Sequence, residues 1–404
     1  MNNNFPETNR LYYQDSHLLK FSANVLDCQP YKEYWAVRLD QTAFYPTGGG
    51  QPNDIGYLRN DEITSQLIDC IDNEKDVIHI VDKAINGQVN CEIDVERRRD
   101  HLQQHTGQHI LSQAFIQIAN AETRGFHLGN ESSTIDLAID QLSTETLYKV
   151  EDLANKIIFE NRQINVHLTD EKDKFALRKD TERSGCIRII EITDFDHSPC
   201  GGTHAKNTGE VGLIVIRSVE RVKKMCRIEF LCGRRALLDY RAAHSSALAV
   251  ANLFSAGRDN ATNLVVKLQQ DYKDLQKRSR ELLDLALSSE AANIYQNTVA
   301  NSNEIKVINL NLKRDLDELK TLVQLLTAYN SVIVLALTTL DSPKLIFARS
   351  KDLTSVDSGK LLGKVCQEFG GRGGGRAEMA QGGLPATIEI EKLLANLADL
   401  ANSF

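Results

Sequence analysis

Two short motifs place the tightest limits on this chain. From Glu96 to Asn120 the sequence ERRRDHLQQHTGQHILSQAFIQIAN carries Leu102, Ile110, Leu111, Phe115 and Ile118 at helical spacing. Along the same stretch His101, His105 and His109 recur every four residues. Side chains four apart on a helix differ by only about 40° in azimuth, so neighbours in this series can reach one ion. Spacing alone leaves two pairs open, His101/His105 and His105/His109, with His105 common to both. Far downstream, Cys200-Gly201-Gly202-Thr203-His204 offers a thiol and an imidazole on a tight glycine loop between strand-like segments. Zinc takes four such donors tetrahedrally, at about 2.0–2.3 Å. A helix and a loop that converge would therefore close around one zinc ion. A metalloprotease is disfavoured, because no glutamate follows the first histidine as H-E-x-x-H requires.

A chain of 404 residues exceeds one ordinary core, so two or three domains are expected. Hydrophobic residues at 42% and charged residues at 25% describe a soluble globular protein. No run approaches the roughly 18 apolar residues that cross a bilayer. The opening MNNNFPETNR has neither an apolar core nor an arginine-rich face, so the expected location is cytoplasmic, with no membrane partner. The eight cysteines lack the close spacing of a disulfide framework, which suits a reducing compartment. A net charge of −8 excludes a uniformly basic nucleic-acid binder. Local positive charge remains sufficient, because phosphate contacts act over a Debye length of about 8–10 Å.

The patterning predicts an α+β protein in four parts. Residues 1–94 read as short strands and turns forming a small N-terminal β-barrel-like domain, with the glycine-rich TGGGQPNDIG inside it. Residues 95–245 combine the histidine helix, strand-like TIDLAID, a second helix from an N-cap at Ser143 to about Asn161, and alternating runs between 187 and 232. Residues 246–297 are polar and helical, with Leu268, Tyr272, Leu275 and Leu282 at three- and four-residue steps, as in a linker helix or coiled coil. Residues 298–404 read as a compact α/β unit in which a glycine-rich loop, GGRGGGRAEMAQGG, precedes the last helix.

HTGQHILSQAF, CGGTH and RIEFLCG resemble the editing domain shared by alanyl- and threonyl-tRNA synthetases. FYPTGGGQPNDIG resembles the glycine-rich segment of the small β-domain of alanyl-tRNA synthetases and their free-standing relatives. GGRGGGRAEMAQGG, preceded by SKDLTSVDSGKLL, is similar to the DHH-associated C-terminal domain, which in those synthetases helps hold tRNA. In family order and from about residue 11 onward, the chain is identified as a member of the free-standing alanyl-tRNA editing proteins, the AlaX family, in its long form. Nothing resembles a class II aminoacylation core ahead of residue 1, so the resemblance implies correction of a charged tRNA without charging one, and without ATP.

The resemblance also selects among residues. Its first motif, H-T/S-x-x-H, falls on His105 and His109, which with Cys200 and His204 make the implied zinc ligands. His101 is left as a partly exposed helix residue. The implied substrate is tRNA-Ala carrying serine, and in a wider version glycine, through an ester at its terminal adenosine. An apolar pocket rejects an added hydroxyl only about 10²-fold, whereas a site that hydrogen-bonds it reaches about 10⁴–10⁵. Thr42 is the expected partner of that hydroxyl, with Gly48, Gly49, Gly50 and Gln51 lining the substrate. His127 is expected to orient water or ribose, and Asp196, with His197, to act beside the ligands. Expected tRNA contacts are Arg97 and Arg98 at the helix start, Arg221, Lys223 and Lys224 in a basic run, and Arg372 and Arg376 among glycines. A homodimer through the helical linker or C-terminal domain is an option. Rival readings are editing of another charged tRNA such as Ser-tRNA-Thr, and a non-catalytic, zinc-ordered tRNA-binding protein.

Overall fold

A computed structural model describes residues 7–171, 174–178 and 186–404. The chain forms two compact units, residues Met1–Val250 and Ala251–Phe404. The N-terminal six residues, part of the segment from which an export signal was judged absent, lie outside the described residues.

The first unit begins with β1 (Asn9–Arg10), β2 (Lys20–Tyr31), β3 (Tyr34–Leu39), β4 (Gln41–Thr42), β5 (Gly56–Arg59), β6 (Thr64–Asn73), β7 (Asp76–Val81) and β8 (Gln88–Ile93). Strands β2-β3-β7-β6-β5-β8 close into a barrel, and β1 pairs in parallel with β4 beside it. Alternation makes the barrel: in β5 and β8 every second residue is buried, and Val37, Leu39, Leu58, Leu67, Val81, Val89 and Ile93 fill the interior. The expected β-barrel is therefore present, and it is fully closed.

Asp94 then caps α1 (Val95–Ala119), its carboxylate accepting the Arg97 amide at 2.8 Å. Asn120 ends the helix in the left-handed conformation, φ 50°. Next come β9 (Thr123–Leu128), β10 (Ser133–Leu137), α2 (Thr144–Phe159), β11 (Ile164–Thr169), β12 (Ile187–Ile192), β13 (Asp196–Pro199), β14 (Ile214–Val222), β15 (Met225–Cys232) and α3 (Gly233–Leu253). Ser143 caps α2 by accepting the Thr146 amide at 3.1 Å. One sheet runs β14-β15-β10-β9 and another β11-β12-β13. Helix α1 is central to the unit: Leu102, Ile110, Leu111, Ala114 and Phe115 are buried, and so are His101, Gln104, His105, Gln108 and His109. A helix so polar stays buried only where its polar groups have work inside. The expectation of a partly exposed His101 is corrected here, since it is 2% exposed, against the barrel side of the helix with Asp54 3.9 Å away.

The boundary expected between residues 94 and 95 falls inside one unit, and Arg98 is one residue that ties its two sides together. Its guanidinium is 1% exposed and reaches out of α1 to the Asp54 carboxylate, the Ser16 carbonyl (2.7 Å) and the Ala43 carbonyl (2.6 Å).

The second unit contains α4 (Ala261–Asn297), β16 (Lys306–Leu312), α5 (Leu316–Leu326), β17 (Val332–Thr338), β18 (Lys344–Arg349), α6 (Ser358–Glu368), β19 (Arg372–Gly375), β20 (Met379–Gly383) and α7 (Ile390–Asn402). Its sheet runs β16-β17-β18-β20-β19, parallel between β16 and β17 and antiparallel elsewhere. Two differences from the sequence reading appear. The helical stretch breaks between Leu253 and Ala261, around Gly257, into two helices. The glycine-rich loop is a β-hairpin, β19–β20: a Cβ on Gly373 would come within 2.7 Å of Leu362 and one on Gly382 within 2.5 Å of Cys366, both on α6. Those glycines let a helix lie directly on the strands. Among the described residues no helix is long and apolar enough to cross a membrane.

Candidate metal centre

Helix α1 sets the first two donors. His105 and His109 lie one turn apart on one face, with ring centroids 5.4 Å apart. The other two come from the loop that leaves β13. Cys200 Sγ is 3.4 Å from His105 Nε2 and 3.3 Å from His204 Nε2. The His204 ring lies 4.5 Å from that of His105 and 4.6 Å from that of His109. All four donor atoms fall within 4.8 Å of one another, and this is the one such group among the described residues. A tetrahedron with zinc–nitrogen and zinc–sulfur bonds of standard length has edges of roughly 3.3–3.6 Å. The donor set and its spacing therefore fit a tetrahedral metal ion.

Each of the three histidine donors faces a second group through its other ring nitrogen. His105 Nδ1 is 2.7 Å from Gln51 Oε1, which accepts only, so the proton sits on Nδ1 and the Nε2 lone pair faces Cys200. The Gln51 amide is itself fixed, donating to Thr203 Oγ1 at 2.9 Å and accepting the Thr203 amide at 3.2 Å. Asp196 Oδ2 lies 3.4 Å from His109 Nδ1, and Arg178 (3.0 Å) and Ser198 (2.9 Å) hold that carboxylate. Thr106 Oγ1 is 3.4 Å from His204 Nδ1. Carboxylate, amide and hydroxyl partners of this kind orient metal-binding imidazoles.

The electrostatics agree with ligation. Burial alone would raise the Cys200 thiol, but the His105 and His204 imidazoles outweigh it and hold it well below its ordinary range. Burial pushes His204 down to about 3, which keeps it neutral. Burial works against a charged His109 too, yet the Asp196 carboxylate and Cys200 leave it raised. Burial opposes ionisation of Asp196, and His109 with Arg178 more than restores it, so its carboxyl sits low.

The glycine segment of the barrel is docked against this cluster. Gly50 has φ +85°, its carbonyl accepts the Leu128 amide at 2.9 Å, and a Cβ there would lie 2.7 Å from the Phe126 carbonyl. Phe126 in turn lies 5.2 Å from the His105 ring. Gly48 is locked in a turn with Gln51 by two backbone bonds of 3.0 Å. The visible work of Gly48, Gly49 and Gly50 is to deliver Gln51 to His105.

Several expected residues are placed elsewhere. Thr42 is fully buried in the barrel wall; its hydroxyl is 2.8 Å from His79 Nε2 and accepts the Phe44 amide at 3.1 Å. The other His79 nitrogen faces the Val37 carbonyl at 3.2 Å, so Thr42 donates its single proton to His79 and has none left for a substrate. His127 is exposed and next to Phe126 in β9; side chains alternate along a strand, so it faces away from the cluster that Phe126 covers. Asp196 acts through His109. Arg98 is spent on Asp54 and backbone carbonyls, and Arg97 holds the Asn53 carbonyl at 2.8 Å. Arg221 forks onto Asp140 at 3.0 and 2.8 Å, whereas Lys223 and Lys224 stand exposed at the β14–β15 turn. Arg372 and Arg376 are exposed at the β19 edge of the second unit. Sequence reading missed Thr106 and Arg188, which touch a ligand or the ligand loop, and Arg178, which holds Asp196. Only the Thr106 position, inside the histidine motif, carried a signal.

Comparison with known proteins follows the same order along the chain. Residues 187–229 match the family described as the threonyl and alanyl tRNA synthetase second additional domain, and residues 304–403 match the DHHA1 domain. Residues 2–101 match the family of class II (A) tRNA synthetases, a match the sequence reading did not anticipate; of these, the described residues 7–101 form β1 to β8, the closed barrel included, and the start of α1. The alanyl-tRNA editing protein AlaX-L of Pyrococcus horikoshii is 29% identical over 96% of this chain and 99% of its own length. The alanine–tRNA ligases of Methanoregula boonei (29% identical, 96% of this chain) and Pyrococcus abyssi (28%, 98%) are also similar, and the chain spans 42% and 44% of their lengths. A solved C-Ala domain of Aquifex aeolicus alanyl-tRNA synthetase aligns at 22% identity and a TM-score of 0.22, over 24% of this chain and 92% of its own, too slight a likeness to bear on the fold.

Proposed function

We propose that this chain, related over nearly its whole length to the free-standing alanyl-tRNA editing proteins, is a trans-acting deacylase that hydrolyses the ester of wrongly charged tRNA-Ala. Serine is the amino acid removed, with glycine the next test. The convergence of His105, His109, Cys200 and His204 supports this reading, because it is the donor set that the resemblance to the editing proteins implies. These four residues would hold a zinc ion. Bound there, zinc would supply the charge that orders the pocket. Four protein donors leave no vacant position on a tetrahedral ion, which favours pocket ordering over water activation.

The chain's own residues do the rest. Gln51 keeps the His105 lone pair on the centre, Asp196 keeps His109 aligned, and the Gly48–Gly50 turn brings the barrel wall to the cluster. Lys223, Lys224, Arg372 and Arg376 are exposed cations available to tRNA phosphates. Neither charging of tRNA nor ATP enters this scheme.

The test is deacylation of Ser-, Gly- and Ala-tRNA-Ala and of Ser-tRNA-Thr, without ATP, before and after zinc chelation. Ser-tRNA-Ala should be cleaved fastest. Cys200→Ala should lose both bound zinc and deacylation. Full activity in metal-free protein would overturn the zinc role, and preference for Ser-tRNA-Thr would move the substrate to the threonine system, which the second additional domain also serves by its description.

A further inference from the structure

His105 and His109 are held by a helix, but Cys200 and His204 are four residues apart on irregular chain just past β13. Backbone with no hydrogen-bond ladder of its own does not keep two donors converged to within a few tenths of an ångström. Contacts from outside must freeze this loop: Gln51 holds Thr203, Ser16 and Thr106 hold the His204 and Ala205 amides, and Arg188 holds the end that bears Cys200. Arg188, on β12, donates from Nη1 to the Cys200 carbonyl at 2.8 Å and to the Gly202 carbonyl at 2.8 Å. Its Nε donates to the Tyr13 carbonyl at 3.3 Å, and its own carbonyl accepts the Cys200 amide at 3.0 Å. Two carbonyls two residues apart that share one nitrogen force the segment to curl. Curled, the Gly202 amide donates back to Cys200 Sγ at 3.4 Å, and Gly202 passes so close to His105 that a Cβ would sit 2.1 Å from its ring.

Arg188 is a costly choice for a mere brace. It is 8% exposed, its Nη2 is buried without an acceptor, and no carboxylate pairs with it among the described residues. Burial accordingly pushes its pKa down, with Cys200 and Tyr13 acting in the opposite direction. Its guanidinium carbon lies 5.6 Å from the Tyr13 ring centre. A buried cation lacking a counter-ion, clamped around the loop that bears the thiolate, points to a part in the metal centre.

We propose that Arg188 is the positioning residue of this centre, its planar fork setting the loop conformation in which Cys200 and His204 meet the α1 histidines. The inference rests on the metal-binding reading given above. A lysine would keep the charge without the fork, and a methionine would keep neither.

The test uses the full chain and Co²⁺ alone as probe, with Zn²⁺ competition for affinity. The unaltered protein should show the intense visible bands of tetrahedral Co²⁺ and a thiolate-to-metal charge-transfer band. Arg188→Met should bind about 10- to 100-fold more weakly and lose the tetrahedral signature, while remaining folded by circular dichroism. Arg188→Lys should bind with intermediate affinity and shifted bands. Unchanged spectrum and affinity in folded Arg188→Met overturn the proposal. Should that variant fail to fold, the same result in Arg188→Lys overturns it. Absence of any tetrahedral spectrum in the unaltered protein would instead sink the metal reading itself, whatever the variants do.

Discussion

His79 shows at the scale of one residue how burial turns into a pH dependence. It is fully buried in the barrel, and burial pushes its pKa down to about 4 from 6.5. Between those values the unfolded chain binds a proton that the folded chain refuses. Stability must therefore rise with pH across that window and fall as pH drops from about 6.5 to about 4. The loss is on the order of 3 kcal/mol for one such group at the acid limit. His101, pushed by burial to about 4, adds a second loss of the same sign. We predict that the urea midpoint of the metal-loaded protein falls between pH 7 and pH 5, and that His79→Gln flattens this fall; a slope unchanged by the substitution would contradict it. Thr42 shares His79's hydrogen bond, so Thr42→Val should lower stability by about 1–3 kcal/mol through the nitrogen left unpaired. The same variant should leave the Ser- to Ala-tRNA-Ala deacylation ratio unchanged. A narrowed ratio would return Thr42 to substrate selection.

At the scale of elements, the β14–β15 hairpin separates charge that is spent from charge that is free. Arg221 and Arg227 fork onto Asp140 and Asp136, and Arg217 faces Glu229 and Asp239. These exposed pairs contribute little to stability, yet they cancel the positive potential that the sequence showed as a basic run. Lys223, in the left-handed conformation at φ 59°, and Lys224 form the turn. Replacing both lysines with alanine should weaken tRNA binding and reduce the slope of log affinity against log salt by about 1–2. Arg221→Ala should change that slope less, and a larger effect from Arg221 would show that tRNA displaces Asp140. The β19–β20 hairpin carries the same lesson in its glycines: they admit α6, while Arg372 and Arg376 remain outside.

For the whole molecule, the metal cluster with every group that aims it lies in Met1–Val250, and the arginine-bearing glycine hairpin lies in Ala251–Phe404. The share of tRNA grip carried by this hairpin should therefore separate from the chemistry. Arg372→Glu with Arg376→Glu should raise KM for Ser-tRNA-Ala several-fold, with the preference for serine and the bound zinc unchanged. A loss of kcat at unaltered KM would place the hairpin's arginines in the chemistry.

Some of this was legible in the chain before folding. Hydrophobic spacing located α1 and α2 with its cap at Ser143, and it marked the alternating strands of the barrel, because period and capping are local properties. His105, His109, Cys200 and His204 were legible only with the family motif beside the spacing, which could not by itself choose between His101 and His109. Of the supporting residues, Asp196 was expected beside the ligands and Gln51 at the substrate, whereas Arg178 and Arg188 were not legible. Gln51, Asp196, Arg178 and Arg188 reach the cluster from the barrel, from β12 and β13, and from the stretch between β11 and β12, and no spacing relates them. His127 shows the same limit: its residue type suited the site, and the register of β9 turned it away. Composition and periodicity determine which elements form. Which side chains meet, which charges are already paired and which hydroxyl proton is already used are settled by long-range packing, because the partners come from segments far apart in the chain.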